Sequence, residues 1–190
     1  MRVRGSSYWR RYVSFVVLFT AAFVLPVSAA DPESLAYAVK AAFLFKFGDF
    51  IEWPASAAPS SDATFNICIL GNDPFHATLD QVVAGQRVGG RPVLVLRMQA
   101  LPSENHCQIL YVANASALST SAVLSATHNE PVLIVTDESQ RTDAEGMIHF
   151  VIRDGRVRFS IDEEMAKEHG LKISSNLLGV ALIVHPRSGP

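Results

Sequence analysis

Apolar positions recur at two different periods along this chain, and the change of period marks where helices give way to strands. From 32 to 53 the spacing is helical: Val39, Phe43, Phe47, Phe50 and Ile51 fall on one face. Leu44 and Phe45 widen that face, and Lys40, Lys46, Asp49 and Glu52 hold the remainder. The spacing predicts one long helix ending at Trp53-Pro54, because the residue before a proline avoids the α region. A face this wide and this rich in phenylalanine either packs wholly on a sheet or leaves part of itself to a partner or a second copy.

Short apolar runs follow at 65–70, 92–96, 107–113 and 131–135, each of a strand's length. Between the first two, Asp73-Pro74 predicts a helix start, with a capping carboxylate and proline at the first helical position. Phe75, Leu79, Val82 and Val83 form that helix's core side. Residues 115–127 read as another helix through Leu118, Val123 and Leu124. Strands alternating with helices imply a largely parallel central sheet flanked by helices.

From 147 to 161 the period becomes two. Asp154-Gly155 suits a two-residue type I′ turn. Folding about it pairs Ile152 with Val157, Phe150 with Phe159 and Ile148 with Ile161, all on one face. The other face collects His149, Val151, Arg153, Arg156, Arg158 and Ser160. A short helix over 162–169 stops at Gly170, and 173–184 reads as a helix entering a last short strand. The predicted class is thus α/β, with a C-terminal β-hairpin and terminal helix.

The first thirty residues have a different character. Arg2, Arg4, Arg10 and Arg11 occur without an acid, an apolar run of about fourteen residues follows, and Val27-Ser28-Ala29-Ala30 supplies small side chains. These are the three parts of a secretory signal. The run is shorter than the roughly 20 residues that span a bilayer. The expected organisation is a signal peptide at 1–30 and a single domain at 31–190, delivered to a bacterial periplasm. The Ala-, Ser- and Pro-rich stretch 55–62 reads as a surface loop within that domain.

The leader changes the charge balance. Of 16 basic residues, four belong to it, leaving 12 against 18 acidic ones and a mature net charge of −6. That argues against nucleic acid or an anionic membrane as partner. The compartment also bears on Cys68 and Cys107. An isolated pair in an oxidising space forms a disulfide, and two buried free thiols are the alternative.

No nucleophile elbow, phosphate-cradling loop, HExxH or dinucleotide fingerprint is present, so no enzyme and no cofactor is expected. The histidines are scattered, and His106 beside Cys107 lacks a second ligand at a metal spacing, so no metal site is expected either. Asn72, Asp73 and Asp137 fall where strands end, the place where open α/β sheets bind ligands. A small-molecule-binding module is therefore the alternative function, set against plain capping by Asp73 and turn formation by Asp137. Arg153, Arg156 and Arg158, with His149, could receive a carboxylate, a phosphate or an acidic loop, or could simply keep a sheet face soluble.

A set of segments occurs in a telling order: AVKAAFLFKFGDFIEWP at 38–54, CILGNDPF at 68–75, GRPVLV at 90–95 and CQILYV at 107–112. VLIVTD at 132–137, GMIHF at 146–150, GRVRFSID at 155–162 and GLKISSNLLGVA at 170–181 complete it. Together they resemble the YfiR family of periplasmic proteins across the mature chain. The resemblance implies an α/β fold, a tendency to homodimerise, and a redox-sensitive disulfide framework in which Cys68 and Cys107 match the family's pair. With no further cysteine here, a switch that needs a second bridge is not expected. The resemblance also implies repression of an inner-membrane sensor, a diguanylate cyclase, through its periplasmic domain. An outer-membrane-associated lipoprotein belongs to that system. The candidate contacts come from the residues themselves: Phe43, Phe47 and Phe50 on the first helix, with Arg156 and Arg158 as polar guides.

Overall fold

A computed structural model describes residues 31–55, 63–102, 106–114, 116–140 and 142–185; the leader and loop positions 56–62 lie outside them. The first helix, α1 (Pro32–Phe47), starts as its sequence dictates. The Asp31 carboxylate accepts from the Glu33 amide, Pro32 opens the first turn, and Glu33 and Lys46 complement the helix dipole at its two ends. It ends earlier than the predicted Trp53. Ile51–Glu52 (β1) instead pairs antiparallel with Lys172–Ile173 (β9). Gly48, the C-cap, sits where a Cβ would come within 3.1 Å of Phe65 and Val88. Tertiary pairing and this close approach override the helical spacing of Phe50 and Ile51.

The main sheet has eight strands. In chain order seven of them are β2 (Phe65–Leu70), β3 (Arg87–Val88), β4 (Arg91–Met98), β5 (Ile109–Val112), β6 (Leu133–Asp137), β7 (Ile148–Arg153) and β8 (Arg156–Asp162). The eighth is β10 (Ile183–His185), and the spatial order is β10-β8-β7-β6-β5-β2-β4-β3. Pairing from β4 through β2, β5 and β6 to β7 is parallel. The hairpin β7–β8 is antiparallel, and β10 lies parallel to β8. The expected class is thus the observed one.

The hairpin adopts the register read from its turn: Ile152 opposite Val157, Phe150 opposite Phe159, Ile148 opposite Ile161. Asp154 and Gly155 have φ of 52° and 68°, the two left-handed positions a type I′ turn requires. The outer face divides into two. Arg153, Arg156 and Arg158 are exposed, whereas His149, Val151 and Ser160 are buried. His149 therefore does not join the arginines: its Nδ1 is 2.8 Å from the Thr136 hydroxyl on β6.

Among the described residues four further α-helices follow: α2 (Ala77–Val83), α3 (Thr120–Ala126), α4 (Glu163–Glu168) and α5 (Ser175–Leu178). Strand alternation assigns their faces. Tyr111 and Asp137 reach Phe75 and Lys40 on the α1 and α2 side. His128 and His169, at the ends of α3 and α4, meet on the other side.

The helix predicted at Asp73-Pro74 begins only at Ala77, after His76 at φ 49°. Asp73 makes a tight turn instead, accepting from the Phe75 amide at 2.7 Å. The reason lies on β4: Arg97 grips the Asp73 carboxylate at 2.7 Å, the His76 carbonyl at 2.9 Å and Asp80 at 2.6 Å. These contacts draw the first turn out of helical shape.

Cys68 on β2 and Cys107 just ahead of β5 form a disulfide, with Cα atoms 5.8 Å apart and both side chains buried. It joins adjacent parallel strands at a point where Asn66 and Gln108 also exchange hydrogen bonds.

Candidate functional site

Two stripes run along α1, and together they build the most distinctive part of the surface. The inward stripe is Tyr37, Lys40, Ala41, Leu44 and Phe47. The outward stripe is Val39, Ala42, Phe43 and Lys46, spaced three and four residues apart. A helix apolar on nearly its whole circumference has two surfaces to cover. The sheet covers one. Phe47 stacks on Phe150 at 5.7 Å and meets Phe159 edge-on at 5.2 Å, while Phe43 reaches Phe159 at 5.4 Å.

The other surface is open. Val39, Ala42, Phe43, Lys46 and Phe47, with Phe50 beyond the helix end, form one wall of a groove of about 820 Å³. Asn176, Leu177 and Val180 form the opposite wall. Val180 is 61 % exposed, and Leu182 and Ile183, which follow it, are exposed as well. Apolar side chains gathered into an open groove, with polar residues at its rim, mark a surface built to be covered. Of the three phenylalanines predicted as contacts, Phe43 and Phe50 are half-buried at the groove, whereas Phe47 lies fully buried beneath it because its ring is taken up by Phe150 and Phe159. The wall contributed by Asn176, Leu177 and Val180 was not foreseen, because only the folded chain brings α5 beside α1.

Arg156 and Arg158 stand elsewhere. Phe159 faces α1, so its neighbours in the alternating strand face the opposite side of the sheet. The phenylalanines and the arginines therefore do not share one surface. Arg153 pairs with Glu138 at 2.9 Å, and Glu138 also accepts from the Ile152 amide.

Lys40, assigned to the polar side of the helix by its residue type, is in fact 2 % exposed. Its ammonium lies 2.6 Å from the Asp137 carboxylate, which is 0 % exposed at the end of β6. Asp137 Oδ2 also accepts from the Tyr111 hydroxyl at 3.1 Å, and Oδ1 accepts from the amide and hydroxyl of Ser139 at 3.0 and 2.9 Å. With the Ser139 hydrogen committed, Tyr37 donates to Ser139 at 2.9 Å, and Gln140 donates to Tyr37 at 2.7 Å. Every donor in this chain points toward one buried carboxylate. Burial first, and then the Asp137 charge, push the Tyr111 phenol far above its usual pKa, so it stays a donor. The network locks the inward stripe of α1 to the strand ends, and that fixes how the outward stripe is presented. A lysine one turn from Tyr37 and Leu44 was the sequence signal for it.

The residues of the alternative ligand site are held by different partners. Asp137 belongs to the Lys40 network and Asp73 to Arg97. Asn72 is exposed, and its amide donates to the Asn114 carbonyl at 3.0 Å. Gly71, at φ 97°, packs so closely there that a Cβ would lie 2.8 Å from that same carbonyl oxygen. The loops after β2 and β5 thus meet directly across the point where the strand order reverses.

Among the described residues no helix is long and apolar enough to cross a membrane. A family model described as YfiR/HmsC-like matches residues 37–182, which takes in α1 from Tyr37 onward, the main sheet up to β10 and the groove. No curated protein matches the chain.

Proposed function

Because the chain belongs to the YfiR/HmsC-like family, a regulatory rather than catalytic one, we propose that it is a periplasmic regulator of an inner-membrane diguanylate cyclase. It binds the cyclase's periplasmic domain and holds the enzyme inactive. The leader is the export signal, removed near Ala30, and the mature domain acts outside the inner membrane. Homodimerisation and contact with an outer-membrane-associated lipoprotein belong to the same proposal.

The observation that carries this reading is the open apolar groove on the outward stripe of α1. Its half-buried Phe43 and Phe50 are rigid aromatic anchors of the kind that dominate binding energy at interfaces, and the fully buried Phe47 supports them from beneath. Its rim carries Lys46 and Asn176, which give a complementary surface something to orient by. The mechanism is a population shift: the regulator binds one conformation of the sensor better than the other. Moving a cyclase from nearly all active to nearly all inactive takes about a 10⁴-fold difference in affinity between the two conformations. The small-molecule reading at Asn72, Asp73 and Asp137 draws less support, since Asp137 is turned inward to Lys40.

Deleting the gene tests the function. Cellular cyclic-di-GMP is expected to rise and to fall again when the wild-type chain is restored. An unchanged level in the deletion strain overturns the proposal.

A further inference from the structure

On the sheet face opposite the groove, His169 is buried at 5 % exposure as the C-cap of α4. Its Nδ1 lies 3.0 Å from the Met165 carbonyl, so Nδ1 carries the hydrogen and Nε2 presents a lone pair. That Nε2 is buried and has no hydrogen-bond partner. An imidazole whose one nitrogen donates to a backbone carbonyl while the other offers a lone pair is arranged like a metal ligand. The His128 ring, in the turn after α3, lies 5.7 Å away at 85°. An ion about 2.0 Å from each ring nitrogen holds two imidazole centroids roughly 5–6.5 Å apart, depending on the angle at the metal. His128, Met165, Glu168 and His169 all line one open cavity of about 440 Å³.

Among the described residues no three His, Cys, Asp or Glu side chains gather around a cation position. A zinc-type shell is therefore not what these side chains supply. Two imidazoles with a thioether are a soft, low-coordinate set, and that chemistry selects monovalent copper. We propose that His128, His169 and Met165 form a copper(I) site that bridges the ends of α3 and α4.

The test titrates the purified mature protein, without oxygen, with copper(I) held by a chromophoric chelator. His128→Ala removes an exposed ring, and Met165→Leu keeps the packing volume; melting curves of both variants establish that they are folded. The wild type is expected to withdraw one equivalent of copper(I), and each variant to bind at least about tenfold more weakly. The expected shift in melting temperature on adding copper(I) is likewise lost in the variants. No withdrawal by the folded wild type, undiminished binding by both variants, or tighter binding of zinc than of copper(I) each overturns the proposal.

Discussion

Replacing Lys40 with methionine is expected to destabilise the folded protein by about 3–5 kcal/mol, the cost of removing one partner from a buried ion pair. Methionine keeps most of the stem volume, so the loss reports the charge rather than a cavity. What remains is the Asp137 carboxylate, buried, with three of its four donors but no countercharge. For a domain of this size each kcal/mol moves the melting temperature by about 2–4 °C, so a drop of roughly 6–20 °C is expected. Adding Asp137→Asn removes the stranded charge, keeps a carbonyl oxygen for the Ser139 amide and hydroxyl, and turns an NH2 toward Tyr111, whose hydroxyl oxygen can accept; it should recover at least about half of the loss. Urea unfolding of the two variants and the wild type measures this. A loss under about 1 kcal/mol for Lys40→Met contradicts the assignment of this pair as the lock between α1 and the strand ends.

The second large effect is expected at the disulfide. Cys68 and Cys107 are 39 positions apart, and closing a loop of that length stabilises the fold by about 4 kcal/mol in the chain-entropy treatment. Reduced wild-type protein is the cleanest comparison, because no atom beyond two hydrogens changes. Its melting temperature should fall by roughly 8–16 °C, and the Cys68→Ala, Cys107→Ala double variant should fall at least as far. The bridge joins β2 to the start of β5, whereas the groove sits over β7 and β8. Reduction is therefore expected to lower the amount of folded regulator and not the affinity of each folded molecule. Equal melting temperatures with and without reductant contradict a stabilising role for the bridge.

What the sequence made legible follows physical range. The hairpin was readable to the individual pair because a two-residue turn and a period-two pattern specify register locally. The cysteine pair was readable through compartment chemistry, although free thiols remained an open alternative until the strands were in place. The end of α1 was misread because its termination is decided by β9, more than a hundred residues away. Lys40 and Asp137 were assigned to a polar helix face and a turn for the same reason: their pairing spans 97 positions. Asp137 does make the expected turn, through the Ser139 amide, and in addition anchors the buried network. One wall of the groove was legible as phenylalanines at helical spacing. The other needed α5 and Val180 to be set beside it, and nothing local in 173–184 announces that.

In the proposed function, the outward stripe of α1 and the C-terminal segment form the surface that grips the cyclase. Val39 and Val180 are exposed on opposite walls of the groove, so Val39→Asp and Val180→Asp place charge at the contact without disturbing the core. Calorimetric titration of residues 31–190 against the periplasmic domain of the cyclase whose output the deletion changes gives the direct answer. Melting temperatures close to wild type and an affinity weakened at least about 30-fold by each variant are expected, as a contact of about 2 kcal/mol requires. Wild-type affinity in both folded variants would contradict it.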